Sequence, residues 1–183
     1  MFSCGQGVFG WDINQDTGDI GILFEDGSND VDFYKYREAI GSWSLFDIAS
    51  GGCDGLDVTY SHYWDRFYLF RDTGGGAISG IVCYSNSTFS SSFTVDEGSN
   101  DIYSLDAFSY GNYVYVGYGR KQEAGDGWEI NMSVISDKSV VNTHTVMSDS
   151  DMGGTYSYTF PSFSVTSDGD INCVFYGLSL IHI

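Results

Sequence analysis

The chain has 183 residues, with 25 acidic against 7 basic side chains and a formal net charge of −18. That excess excludes unaided binding to nucleic acid or to an anionic membrane, because every phosphate contact would meet repulsion. Hydrophobic residues make up 42% and aromatics 17%, enough for a packed core and too many for a disordered acidic tail.

No stretch approaches the roughly 20 apolar residues that cross a bilayer, so no membrane insertion is expected. The first residues, MFSCGQGVFGWD, lack the basic start and apolar run of a signal peptide. Phe and Tyr are abundant, Gly punctuates the chain and Pro occurs once, at Pro161. Short alternating runs recur between Gly, Ser, Asn and Asp clusters, and no helical spacing is sustained. The chain therefore reads as all-β.

In chain order, Trp11-Asp12-Ile13 leads to Ile20–Phe24, then to Val31–Tyr36 and Trp43–Ala49. Leu56-Asp57-Val58 leads to Phe67–Phe70, Ala77–Tyr84 and Ser91–Val95. Leu105-Asp106-Ala107 leads to Tyr113–Tyr118, Trp128–Ile135 and Val140–Val146. Phe163-Ser164-Val165 leads to Ile171–Tyr176. The four triplets start 45, 49 and 58 residues apart. A four-stranded antiparallel meander at this period, repeated about three and a half times, is the sequence pattern of β-propeller blades. The units fall near 9–50, 54–96, 102–147 and an incomplete 158–177, all within one partial propeller over 1–183.

Two stretches carry a family resemblance. The run Ile20 to Tyr36, followed by Gly41-Ser42-Trp43-Ser44, resembles the second strand, hairpin, third strand and G-x-W of sialidase-like propeller repeats. Ser104 to Tyr118 resembles the S-L-x-x-D-x-x-G-N-x-x-V-x-Y core of the same repeats. The resemblance implies five to eight blades in a complete protein, so the remaining blades of a parent propeller are expected as partners. It does not extend to sialidase activity. The Asp-box is represented only by Ser167-Asp168-Gly169, and Arg37, Arg66, Arg71 and Arg120 fall at unrelated places in their units. The terminal Leu178–Ile183 resembles a translation of sequencing-adapter DNA, which suggests a truncated environmental gene fragment with a non-native tail.

Asp12, Asp57 and Asp106 hold the middle of the first-strand triplet in three successive units. First strands line a propeller's channel, so these carboxylates are expected around its axis. Converging carboxylates without basic partners repel one another. A hard cation such as Ca²⁺ would relieve that and would make these residues metal ligands. The alternative is that each bonds strand-edge amides or channel water. Some five-bladed glycosidases resemble this layout, which makes the same three residues candidate carboxylates of a glycoside hydrolase, although that family gives one role to Glu and none stands here.

The aromatic loop residues Tyr60, Tyr63, Trp64 and Tyr110 are the candidate ligand-binding set, as a platform for stacking on sugar C–H faces. The acidic turns Glu25–Asp30 and Asp96–Asp101 fit hairpin chemistry better than a Ca²⁺ loop. His62, His144 and His182 are too scattered for zinc or a triad. Cys4 and Cys53 both precede a first strand, where a disulfide is a geometric option, whereas Cys83 and Cys173 read as buried small hydrophobes. Asn86-Ser87-Thr88 and Asn131-Met132-Ser133 match the glycosylation pattern.

The expected function is a non-catalytic binding propeller of a secreted, cell-surface or virion-surface protein, with a carbohydrate or protein ligand at one rim. The alternatives are the hydrolase and a structural module of a viral fibre or multidomain surface protein.

Overall fold

A computed structural model describes residues 9–26, 28–121, 127–148 and 156–179. The first sheet contains β1 (Phe9–Ile13), β2 (Ile20–Glu25), β3 (Asp30–Arg37) and β4 (Ser42–Ser50), with a short 3-10 turn at Glu38–Ile40. The second contains β5 (Leu56–Ser61), β6 (Arg66–Asp72), β7 (Ile78–Tyr84) and β8 (Phe93–Asp96). The third contains β9 (Ile102–Tyr110), β10 (Tyr113–Lys121), β11 (Trp128–Ser136) and β12 (Ser139–Ser148). The fourth has β13 (Tyr156–Val165) and β14 (Ile171–Ser179). Every neighbouring pair is antiparallel and follows chain order, so each sheet is a meander. No helix among the described residues is long and apolar enough to cross a membrane.

Turn chemistry fixes the meanders. In the hairpin between β9 and β10, Tyr110 pairs Tyr113 across Gly111-Asn112, and Gly111 has φ +59°. A two-residue loop of this kind twists with the strands when its first residue turns left-handed, which Gly tolerates. The acidic turn after β2 is closed by the Asp26 carboxylate, which accepts the Ser28 and Asp30 amides at 2.7 and 3.0 Å.

Alternation along each strand supplies two apolar faces, one for each neighbouring sheet. In β6, Phe67 and Leu69 join the core shared with the first sheet, while Tyr68 and Phe70 join the core shared with the third. The first core unites Leu23, Val31 and Phe33 with Leu56, Val58 and Phe67. The second unites Tyr68, Phe70 and Ile78 with Leu105, Val114, Val116 and Tyr118. A smaller third core sets Phe163 against Ile130 and Met132. The leading strands β1, β5, β9 and β13 are neighbours in series. The sheets therefore splay outward from a common line like blades from a hub, and the architecture is an all-β propeller arc of three four-stranded sheets and one two-stranded sheet.

Two expectations fall partly or wholly outside the described residues. Cys4 lies there, so a Cys4–Cys53 disulfide has no structural description, and Cys53 itself is a buried free thiol. Of the unusual tail, residues 180–183 lie there too, and β14 runs on to Ser179.

Candidate functional site

The three aspartates on the leading strands join successive sheets. Asp12 Oδ2 accepts the Tyr60 amide at 2.7 Å and the Thr59 hydroxyl at 3.1 Å, while its Oδ1 accepts the Ile13 amide at 2.7 Å. Asp57 Oδ2 accepts the Ala107 amide at 2.6 Å and its Oδ1 accepts the Val58 amide at 2.8 Å. Asp106 Oδ2 accepts the Phe163 amide and is also bonded by the Ser162 hydroxyl. Each carboxylate thus clips the edge amide of the next sheet's leading strand, a group that no strand partner satisfies.

The clips do not keep one register. Tyr60 lies three residues past Asp57, Ala107 one past Asp106, and Phe163 one short of Ser164. A small residue two positions before each aspartate (Gly10, Gly55, Ser104) lets the strands approach. A Cβ on Gly10 would stand 2.8 Å from Asp57 Cα. Sequence reading singled out the aspartates but missed this small-x-Asp spacing, which is visible in the three triplets once the preceding residue is included.

Local surroundings act on the ionisation of Asp57 and Asp106. Burial, with a smaller contribution from the charges of Asp106 and Asp12, pushes the Asp57 carboxyl up to about 7 against the lowering effect of the Ala107 and Val58 amides. The cause of the charge contribution is positional. Where Asp12 and Asp106 meet a hydroxyl beside the receiving amide, Asp57 meets Asp106 itself. Asp106 is raised by burial and held back by the Phe163 amide and the Ser162 hydroxyl.

All three aspartates line one cavity of about 760 Å³ on the hub side, together with Trp11, Thr59, His62 and Phe108. Among the described residues, no group of three or more His, Cys, Asp or Glu side chains is arranged to hold a metal ion.

The aromatic candidates gather at one rim and divide in character. The loops β1–β2, β5–β6, β9–β10 and β13–β14 touch in series there. His62 Nδ1 meets the Asp16 carboxylate at 2.8 Å, Trp64 Nε1 donates to the Asn112 carbonyl at 3.1 Å, and the Tyr110 hydroxyl donates to the Ser167 carbonyl at 3.1 Å. Tyr63 is 62% exposed and stands edge-on to Trp64, with ring centroids 5.0 Å apart. The Arg66 guanidinium lies 4.9 Å from the Trp64 ring and pairs with Asp137 of the third sheet. Trp64 is therefore fixed on three sides and presents Tyr63 to solvent.

Tyr60, expected in a loop, instead lies within β5 and is buried, packed edge-on against Phe67. Its hydroxyl donates to Asp65 at 2.5 Å. The physical reason is length: β5 continues to Ser61, and alternation turns Tyr60 toward the first sheet. Tyr110 ends β9 and is partly exposed.

A second cleft, of about 190 Å³, opens between the first two sheets. Lys35, 1% exposed, lines it and donates to the Tyr84 and Ser85 carbonyls at 3.3 and 3.1 Å. Arg37, Asp19, Asp65 and Asn14 complete a wall of mixed donors and acceptors. Of the other singled-out residues, Asn131 is buried with its amide on Glu129, whereas Asn86 is exposed in the turn after β7. Cys83 is buried and Cys173 partly so.

No protein-family model matches the chain, and no curated protein matches it in sequence. Solved structures do resemble it. AofleA from Arthrobotrys oligospora superposes with a TM-score of 0.61 at 10% identity over 96% of this chain and 50% of its own. A mutant of AofleA with three arginines replaced by alanine gives 0.62 at 12% identity over 96% and 51%. A prolyl endopeptidase gives 0.53 at 11% identity over 92% of this chain and 25% of its own. The likeness is one of fold, the β-propeller. The chain spans about half the length of the AofleA chains it matches.

Proposed function

We propose that the chain belongs to a non-catalytic binding propeller that takes a carbohydrate at the rim built by Tyr63, Trp64 and Tyr110. The observation that carries this reading is the fixed Trp64 with exposed Tyr63 against it, flanked by the Asp16 carboxylate and His62. A sugar needs an aromatic face for its C–H groups and nearby acceptors for its hydroxyls. The cleft between the first two sheets adds Arg37 and Asp19 as a further donor and acceptor. A secreted or surface-displayed protein of sialidase-like repeat type is the setting this reading favours. A glycan array with the chain and its Tyr63→Ala variant tests it. Binding of at least one glycan class, lost in the variant, is the expected result. An array blank for the unmodified chain would refute it.

A second reading, glycoside hydrolysis in the hub cavity, draws on Asp57, whose carboxyl lies near neutrality as a proton donor requires. Its oxygens are both engaged by amides, which weighs against attack on a substrate. Turnover of a glycoside panel that disappears in Asp57→Asn would favour this reading, and no turnover by the unmodified chain would eliminate it.

A further inference from the structure

Cations are scarce in this chain, 7 against 25 acidic residues, yet Lys35, Arg37 and Arg66 all line the cleft between the first two sheets. Strand alternation places two of them. Val31, Phe33, Lys35 and Arg37 share one face of β3, and that face turns to the second sheet. Val31 and Phe33 pack with Leu56 and Phe67, whereas Lys35 reaches the Tyr84 and Ser85 carbonyls. The face thus passes from apolar to charged as the strand leaves the core.

The three cations differ in their counter-charges. Arg66 pairs with Asp137 and also bonds the Tyr68 hydroxyl. Among the described residues, no carboxylate lies within ion-pairing distance of Lys35 or Arg37. The two carboxylates that line the cleft are held elsewhere. Asp19 Oδ1 accepts the Glu38 amide at 3.1 Å, and Asp65 Oδ1 accepts the Tyr60 hydroxyl at 2.5 Å. Lys35 is 1% exposed, and its ammonium rests on two carbonyls and lies 5.8 Å from the Phe67 ring centroid. A buried cation without an anion beside it is a costly arrangement.

Size and charge narrow what would complete it. The cleft holds about 190 Å³, below the roughly 300–1,000 Å³ of pockets for drug-sized ligands. The net charge of −18 repels anions at long range, but that field is screened beyond about 8 Å at physiological salt. Inside the cleft the nearest charges decide. A planar guanidinium grips a carboxylate with two parallel hydrogen bonds. A second negative charge on the ligand would meet Asp19 and Asp65, whereas a hydroxyl would find an acceptor in Asp19.

We propose that this cleft binds a small hydroxylated monocarboxylate, with its carboxylate facing Arg37 and Lys35 and a hydroxyl donating to Asp19. This gives the cleft a ligand of its own, beyond the sugar platform at Tyr63 and independent of it.

Titration calorimetry with D-glucuronate, D-gluconate and L-lactate reads the outcome. Saturable binding of at least one acid is expected. The methyl ester of glucuronate, which lacks the charge, and glucose 6-phosphate, which carries a second one, are each expected to bind about ten-fold more weakly than glucuronate or not at all. Amide shifts in the NMR spectrum are expected at Thr17, Asp19, Arg37 and Ser85 and not at Tyr63. Arg37→Gln is expected to weaken the acid about ten-fold with an unchanged unfolding midpoint, since its guanidinium anchors no other described residue. The ester and phosphate comparisons use the unmodified chain and so do not depend on how any variant folds. No saturable binding of any of the three acids would overturn the proposal. So would an ester or a phosphate that binds as tightly as glucuronate, or shifts centred on Tyr63 and Trp64.

Discussion

At the first seam Asp12 receives an amide and a hydroxyl, whereas at the second Asp57 receives an amide beside another carboxylate. The two residues hold the same place in successive repeats but meet different neighbours: Thr59 precedes the receiving amide at the first seam and Asp106 at the second. A repeated residue therefore need not repeat its energetics. At Asp57 burial raises the carboxyl most, and the Asp106 charge across the seam adds to that.

The largest expected effect breaks the first seam. Asp12→Ala leaves the Tyr60 amide and Thr59 hydroxyl buried without their acceptor. A loss of about 2–3 kcal/mol, read by denaturant unfolding, is the expected cost. A loss below about 0.5 kcal/mol would show that the clip carries no weight.

The second seam is expected to answer more weakly and with pH. The folded Asp57 carboxyl, pushed up to about 7, holds a proton that the unfolded chain has released at its ordinary 3.8. Stability from this group is full below about pH 4 and is lost as the pH climbs through about 7. Asp57→Ala is therefore expected to cost about 1 kcal/mol at pH 8, and more at pH 5. Urea midpoints across pH 4 to about 8 measure this directly, and Asp57→Asn is expected to flatten part of the decline. An equal cost at both pH values would show that Asp57 does not titrate between them.

Transplanting the difference sharpens it. Thr59→Asp puts a carboxylate beside Asp12, as Asp106 stands beside Asp57. The variant is expected to lose stability with rising pH at the first seam too, read as a steeper fall in midpoint between pH 5 and pH 8 than in the unmodified chain. The smallest expected effect on stability is that of Tyr63→Ala at the exposed rim, within about 0.5 kcal/mol, although the same change removes the proposed sugar platform.

Much of the fold was legible because alternation and turn chemistry are local. Val31–Tyr36 and Tyr113–Tyr118 read as strands from their own residues, and the Gly111-Asn112 turn announces its hairpin. The three aspartates were legible as a set for the same reason. Their partners were not, because Tyr60, Ala107 and Phe163 lie 48, 50 and 57 residues away and donate through the backbone, which carries no residue signature. Tyr60 was misplaced because the end of β5 depends on pairing with Arg66 rather than on any breaker nearby. The fixing of Trp64 by Asn112 and Arg66 likewise depends on which sheets become neighbours.

The sliding register of the clips has a consequence for how such arcs evolve and can be rebuilt. Because each aspartate reaches an amide at a different offset, a wedge is cut to fit the one before it and the one after it. Exchanging two wedges would set a carboxylate two or four residues along the strand from the edge amide it now serves. The order of the units around the hub is thus keyed, like teeth of unequal pitch, and duplication of a wedge would have to be followed by re-cutting of its edges before the copy could sit in line.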